Sequence, residues 1–378
     1  MIAKSIIFSI IRTHFFCRDN PVLDANYLRS LETPRILVTM HGLIGDSVMS
    51  LPLLESISSV LPDAKLSIIC NPTNQAFFES SPNVMDNFVI SGSPLSIRES
   101  RQVAVLRSWI RKCKFDAAFI ALGNDLASLP EIQRIPLTVG VKEDSQSSML
   151  TKSYSIGTPR TWRSAERLGA LRSVGFSVST TTPKITPNSS HLDSLFTKIS
   201  AIGLDTTNVV VVHPFGSTVA QHWPVENVKQ FVLLCLGNTN LHIAILGGPS
   251  HTSLTIMDCK VPNLDDRLFD LRGILELGET VELIRQSKIL VSTDSGPMHI
   301  GIALDTLTIG LFRSVRPEHS WQGDALIPHF GKSQRCEGRC TWDRCYWSPC
   351  EQMASISATS VFDQLNSLLG SSRGEFEN

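Results

Sequence analysis

The sequence predicts an α/β protein built from two Rossmann-like domains that face each other across a cleft. Three observations predict it. Short apolar runs alternate with segments of helical period in both halves of the chain, the pattern of parallel strands joined by crossover helices. A stretch rich in Ser, Thr and Pro, residues 179–190 (STTTPKITPNSS), separates the halves as a linker would. The 378 residues suffice for two cores of ordinary size.

The elements follow in order. Residues 1–30 form an apolar extension that opens MIAKSIIFSIIRTHFFCR. Lys4 and Ser9 break the run, which is too short to span a bilayer, and no small-residue cleavage site follows it. Two readings stand: a helix lying in a membrane interface, giving peripheral contact, or a helix packed on the body of the protein or on a partner chain. The first domain is expected over residues 31–185. Its strand signals are RILVTM (Arg35–Met40), KLSIIC (Lys65–Cys70) and DAAFIAL (Asp116–Leu122). Between the first two, Ser47–Leu61 reads as a helix with Val48, Leu51, Leu54, Ile57 and Leu61 on one face, and Pro52 should shorten or kink its first turns.

The second domain is expected over residues 186–350. NVVVVH (Asn208–His213), LHIAILGG (Leu241–Gly248), KILVS and TLTIGLF (Thr306–Phe312) read as strands. PVENVKQFVLLCL, opened by Pro224 and Glu226, and ETVELIRQ read as helices. Residues 351–378 read as a C-terminal helix and tail.

Composition excludes some functions. A net charge of −1 supplies no basic face for nucleic acid. Nine cysteines are too sparse for a disulfide scaffold. Cys17, Cys70, Cys113, Cys235 and Cys259 read as small core residues of a protein in a reducing, cytoplasmic compartment. Cys336, Cys340, Cys345 and Cys350 cluster with spacing C-x3-C-x4-C-x4-C, open to a metal, to disulfides or to packed thiols.

Four loops carry the chemistry, and all sit at strand ends, where ligands bind in such sheets: HGLIGD, HPFGST, LGGPS and STDSGP. In STDSGPMHIGIAL (Ser292–Leu304), Pro297 suits the first helical position, Ser295 or Asp294 can cap, and Gly296 permits close approach. The result would be a row of free N–H groups, a seat for phosphate; a merely well-capped strand–turn–helix is the bland alternative. In HGLIGD, Gly42 and Gly45 allow a tight turn. Asp46 is then either a helix cap, the commoner job, or a general base for an incoming hydroxyl. In HPFGSTVAQHWP, Gly216, Ser217 and Thr218 offer donors to an anion, while His222 and Trp223 read as structural. No two Asp residues stand with one residue between them, which weakens any scheme in which a metal holds a diphosphate between carboxylates. Helix N-termini and loop donors would then have to carry the leaving charge.

RILVTMHGLIGDSVMSLPLLESI, HPFGSTVAQHWPVENV, DLRGILELGETVELIRQSKILVSTDSGPMHIGIAL and CTWDRCYWSPCEQM resemble, in order and spacing, the ADP-heptose heptosyltransferase family of lipopolysaccharide core assembly. The resemblance runs from about Arg35 to Leu365. It implies a GT-B fold, with donor bound mainly by the second domain and acceptor by the first, and inverting sugar transfer with no cofactor and no catalytic metal. It implies that Asp46, beside Gly45, is the general base. Asp294, Ser295, Gly296, Pro297, Met298 and His299 would form the nucleotide-diphosphate block, with Gly216, Ser217 and Thr218 in the other phosphate loop, and Gly45 and Gln221 would join them in the substrate-binding set. The implied partners are a nucleotide-sugar donor and a glycan or glycolipid acceptor, at the cytoplasmic face of the inner membrane if the contact is peripheral.

Two departures are visible. Many family members carry Lys just before the His-Trp or Arg-Trp pair, where this chain has Gln221, and a neutral amide cannot replace that charge. Arg313 and Arg316 are nearby cations that could compensate. Where the family often has Glu near the ribose, this chain has Pro249, Ser250 and His251. Beside the transferase reading stand a member that binds a nucleotide sugar or a partner without turnover, and a nucleotide-sugar epimerase of similar fold.

Overall fold

The computed structural model describes residues 23–79, 81–92, 101–156, 163–179, 182–253, 265–313, 324–336 and 350–371. Most of the amino-terminal extension, Cys17, Cys259, Cys340, Cys345 and Arg316 lie outside these residues.

Strands β1 (Arg35–Met40), β2 (Lys65–Cys70), β3 (Val84–Val89), β4 (Ala117–Leu122), β5 (Leu137–Val141) and β6 (Lys152–Tyr154) form one sheet in the order β3-β2-β1-β4-β5-β6. Strands β7 (Val209–His213), β8 (His242–Ile245), β9 (Leu268–Asp270), β10 (Ile289–Thr293), β11 (Thr308–Phe312) and β12 (Leu326–Phe330) form another in the order β12-β11-β10-β7-β8-β9. The pairings are parallel throughout both sheets. The interior strands β4 and β10 are buried along their whole length, as strands covered on both faces must be. The protein is therefore two Rossmann-like domains, as expected.

Each sheet reverses its winding once, between β1 and β4 and between β7 and β10. At such a point the connections leave in opposite directions and open a crevice at the carboxyl ends of the strands. The loops after β1, β7 and β10 are HGLIGD, HPFGST and STDSGP, so the topology itself brings three of the four loops to the crevices.

The helices are α1 (Ala25–Arg29), α2 (Ile44–Val60), α3 (Arg101–Cys113), α4 (Pro130–Gln133), α5 (Arg163–Arg167), α6 (Gly169–Ser173), α7 (Ser189–Ser200), α8 (Val225–Asn238), α9 (Leu277–Gln286), α10 (Gly296–Ala303), α11 (Glu351–Ser355) and α12 (Ala358–Ser371). Helix α2 corrects the sequence expectation twice. It starts three residues earlier, and it runs unbroken through Pro52. Its buried residues include Met49, Ser50, Leu53 and Ser56 as well as the expected face, because the first sheet covers one side and α10 the other. A helix covered on two sides keeps little wet surface, and its packing offsets the hydrogen bond that Pro52 cannot make. Helix α8 begins at Val225, with Pro224 as its cap residue rather than its first member.

One continuous core runs from β1, β2 and β4 through α2 to α9 and α10, and on to β7 and β10. A second, on the outer side of the second sheet, gathers Trp223, Phe231, Met353, Val361 and Leu365 from α8, α11, α12 and the loop before α8. A third packs α3 on the outer side of the first sheet through Val103, Leu106 and Ile110. The two sheets thus share their inner layer. That layer fixes how the two crevices meet.

Candidate active site

Helices α2 and α10 start at the two crevices and abut at their N-terminal ends. A Cβ on Gly45 would lie 2.6 Å from the His299 ring, and one on Gly296 would lie 2.7 Å from Ile44. The two glycines are what let the helix ends touch. Between them and the loop after β7 lies a cavity of about 390 Å³, lined by Gly42–Asp46, Arg163, His213, Phe215–Ser217, Gln221, Asp294–Pro297 and His299 among others. A larger concavity of about 1020 Å³ opens at the other end of the second sheet, by Asn208, Asn240 and Arg267. It has no reactive constellation: Arg267 spends its guanidinium on the carbonyls of Leu236, Thr239 and Leu241, at the end of α8 and in the turn after it.

Asp46 is the third residue of α2, and Leu43 holds the cap position without a side-chain bond. The expected cap is therefore corrected: the helix starts too early for Asp46 to reach its open amides. Its carboxylate, a quarter exposed, turns into the cavity, where Oδ1 lies 3.3 Å from Nη1 of Arg163 on α5. The positive end of α2 favours a carboxylate there. The turn before it is braced from β2's end. Asn71 donates to Gly42 O at 2.8 Å, and Asn74 donates to Met40 O and to the Ser47 hydroxyl, both at 2.6 Å.

The Asp294–His299 turn departs from expectation in detail. Ser295 is the cap residue of α10, with Gly296 first and Pro297 second. Its hydroxyl makes no cap bond, lying 3.1 Å from both His213 Nδ1 and Thr293 O. The amides of Met298 and His299 are taken by Ser295 O at 3.1 and 3.4 Å, and Pro297 has none, so the row of free donors is shorter than foreseen. Met298 itself is fully buried in a small core beside Phe312. Asp294 Oδ1 and His299 Nε2 stand 3.8 Å apart. Burial pushes the Asp294 carboxyl up, against the pull of His299, Arg163 and Arg313. Burial also pushes His299 down, against Asp294 and Asp46. Each shift runs toward the neutral form, because burial penalises the charged one.

In the loop after β7, Gln221 decides the geometry. It is buried, and its Oε1 accepts from the Ser217 hydroxyl at 2.7 Å, the Thr218 amide at 3.0 Å and the Thr218 hydroxyl at 3.3 Å. Gly216 is needed beneath it, since any Cβ there would collide with the Gln221 Cβ. The donors that Ser217 and Thr218 were expected to offer an anion are directed at Gln221 instead. Behind this loop His251 stacks on Phe215 at 4.0 Å, with His213 and His222 edge-on to the same ring. Burial lowers all three imidazoles, His213 to about 3. Trp223 is structural as expected: it is buried and donates to Ile356 O at 2.9 Å.

Arg163 was missed by the sequence, as were the braces Asn71 and Asn74. Arg163 stands in no motif, and only the packing of α5 against α2 brings it to Asp46. Arg313, expected as a compensating cation, is buried and does not line the cavity. Beside the cavity, a second concavity of about 570 Å³ lies at the carboxyl ends of the first sheet, lined by His41, Asn71, Thr73, Ser91 and Asp125 among others. Among the described residues no three His, Cys, Asp or Glu gather as a metal site, and the cysteine cluster falls partly outside them. No described helix is long and apolar enough to cross a membrane.

Residues 103–335 match the model of glycosyltransferase family 9 (heptosyltransferase). The chain belongs to this family. Lipopolysaccharide heptosyltransferase 1 of Salmonella typhimurium is 30% identical over 149 residues, 39% of this chain and 40% of that protein, so the match spans two fifths of the relative's length. The structure of Escherichia coli ADP-heptose lipopolysaccharide heptosyltransferase II superposes with a TM-score of 0.75 at 16% identity, over 90% of this chain and 99% of the other. A family 9 glycosyltransferase from Veillonella parvula gives 0.72 at 18% identity, over 89% and 97%. These likenesses are to the GT-B fold.

Proposed function

We propose that the protein is an inverting, metal-independent glycosyltransferase. It moves a heptose or related sugar from a nucleotide-diphosphate donor, ADP-heptose in the first place, to a lipopolysaccharide-core or other surface-glycan acceptor. The observation that carries this reading is the meeting of Asp46 and the Asp294–His299 turn in one cavity between two Rossmann-like domains. The donor assignment follows the family and the name of the Escherichia coli neighbour.

The chemistry needs one base. Asp46 takes the proton of an acceptor hydroxyl as its oxygen attacks the anomeric carbon. The bond from that carbon to the diphosphate breaks, and the electron pair leaves with the phosphate oxygen. Attack from the face opposite the leaving group inverts the centre. The turn Asp294–His299 receives the departing charge, and the concavity beside Asn71 and Thr73 takes the acceptor. A lipid-linked acceptor would bring the enzyme to the cytoplasmic face of the inner membrane.

Calorimetric titration with ADP, GDP and UDP, repeated on Asp294→Ala, tests the donor site. Micromolar binding of one nucleotide, weakened at least about tenfold by the substitution, supports the reading and names the base. The use of the Ser217 and Thr218 hydroxyls by Gln221 favours one rival, a member that binds without turnover. Nucleotide binding with no transfer to any acceptor would establish it.

A further inference from the structure

A diphosphate brings negative charge into a cavity, and the cavity must answer it. Among the described residues lining this one, Arg163 alone carries a permanent positive charge. The loop after β7 does not supply one: Gln221 is neutral, and its carbonyl holds the Ser217 and Thr218 hydroxyls. Burial lowers the imidazole of His213 to about 3 and lowers that of His299 as well, away from the charged form.

Arg163 is placed to serve. It stands on α5 in the first domain, yet shares the cavity wall with Ser217, Gln221 and Asp294 of the second. Its charge is felt at both Asp294 and His299. Its side chain is 45% exposed and meets Asp46 through a single contact at 3.3 Å. An exposed pair of that kind is weakly held and exchangeable. A diphosphate offers more charge, and oxygens spaced for the two-pronged guanidinium grip.

We propose that Arg163 is the cation that receives the donor's diphosphate, reaching across the cleft from the first domain, and that in the empty site it rests on Asp46. The inference rests on the diphosphate-donor reading above. Arg163 thereby acts as a binding residue for the donor.

The test compares wild type, Arg163→Gln and Arg163→Lys, each titrated with the tightest binder among ADP, GDP and UDP and with the matching monophosphate. The proposal expects Arg163→Gln to lose about 10- to 100-fold in diphosphate affinity and to keep its monophosphate affinity within about threefold. Arg163→Lys should recover part of the loss, and thermal melting should be unchanged in both. Equal diphosphate affinity in wild type and Arg163→Gln would overturn the assignment while leaving the proposed function intact. Equal weakening of mono- and diphosphate would overturn it too, by showing a structural role. A wild type that binds no nucleotide would overturn both this inference and the function on which it rests.

Discussion

At Asp46 a single side chain has two possible employments, and the start of α2 chooses between them. The helix begins at Ile44, so the carboxylate is carried past the open amides and faced into the cavity. Asp46→Asn keeps the shape and removes the proton acceptor. The expected outcome is a fall in kcat of about 100- to 10,000-fold with nucleotide affinity little changed, read by product release and by calorimetry. Asp46 was legible in the sequence as a candidate because Gly-Asp follows a strand. The residues alone left cap and base both open, because helix starts are read to within a few residues and here three residues decide; the family resemblance is what implied the base. Gln221 was legible as a departure from the family pattern. That its carbonyl staples Ser217 and Thr218 was invisible, since the bonds depend on a turn with no periodicity.

At the scale of elements, the abutting ends of α2 and α10 carry a sharp expectation. Gly45→Ala would push a methyl group into His299, and Gly296→Ala would push one into Ile44. Overpacking of this kind costs about 1–3 kcal/mol, which thermal melting should show as a drop of several degrees in each variant. Activity should fall as well, since the same displacement separates Asp46 from the Asp294 turn. The indole of Trp223 ties the loop before α8 to α11 through Ile356 O, a carbonyl that also accepts from Asn227 at 2.8 Å. Trp223→Phe leaves that carbonyl its second partner but opens a gap in the second core where the larger ring sat, so the expected loss is about 1–3 kcal/mol, measurable by urea unfolding. Interior β5 (LTVGV) went unread, but the interior strands β1, β2, β4, β7, β8, β10 and β11 were legible as apolar runs. The edge strands β3, β6, β9 and β12 were not. Their sequences, VMDNFV, KSY, LFD and LIPHF, are short or mixed because one side of an edge strand has no neighbour. Pro328 in β12 is tolerated for the same reason.

For the whole molecule, two sheets with the same winding place two crevices face to face. That arrangement makes one site from loops about 250 residues apart in sequence. The alternation of strands and helices made the two-domain plan legible, but the meeting of α2 with α10 and the arrival of Arg163 are long-range packing. No local pattern encodes them. The buried imidazoles give the molecule a pH dependence of known sign. Burial lowers His213 from the ordinary value to about 3, and it also lowers His222, His251, His299 and His329. Within that window the unfolded chain binds protons that the folded chain refuses. Stability is therefore full above pH 6.5 and falls with acid, by at most about 1.4 kcal/mol per pH unit for His213. Water at the partly exposed edge of His213 trims this figure. Urea unfolding at pH 7 and pH 5 should show the loss, and His213→Asn should flatten its slope whatever it does to stability at pH 7.

The proposed joining, in one cavity, of a base on the first domain to a diphosphate seat on the second is checked by following ADP release from ADP-heptose in the presence of a lipopolysaccharide-core acceptor, in wild type and Asp46→Asn, with the anomeric configuration of the product determined. The expected result is acceptor-dependent release by wild type, an inverted product, and at least about a hundredfold loss in the variant. Release that is unchanged by Asp46→Asn, or a product with retained configuration, would contradict it.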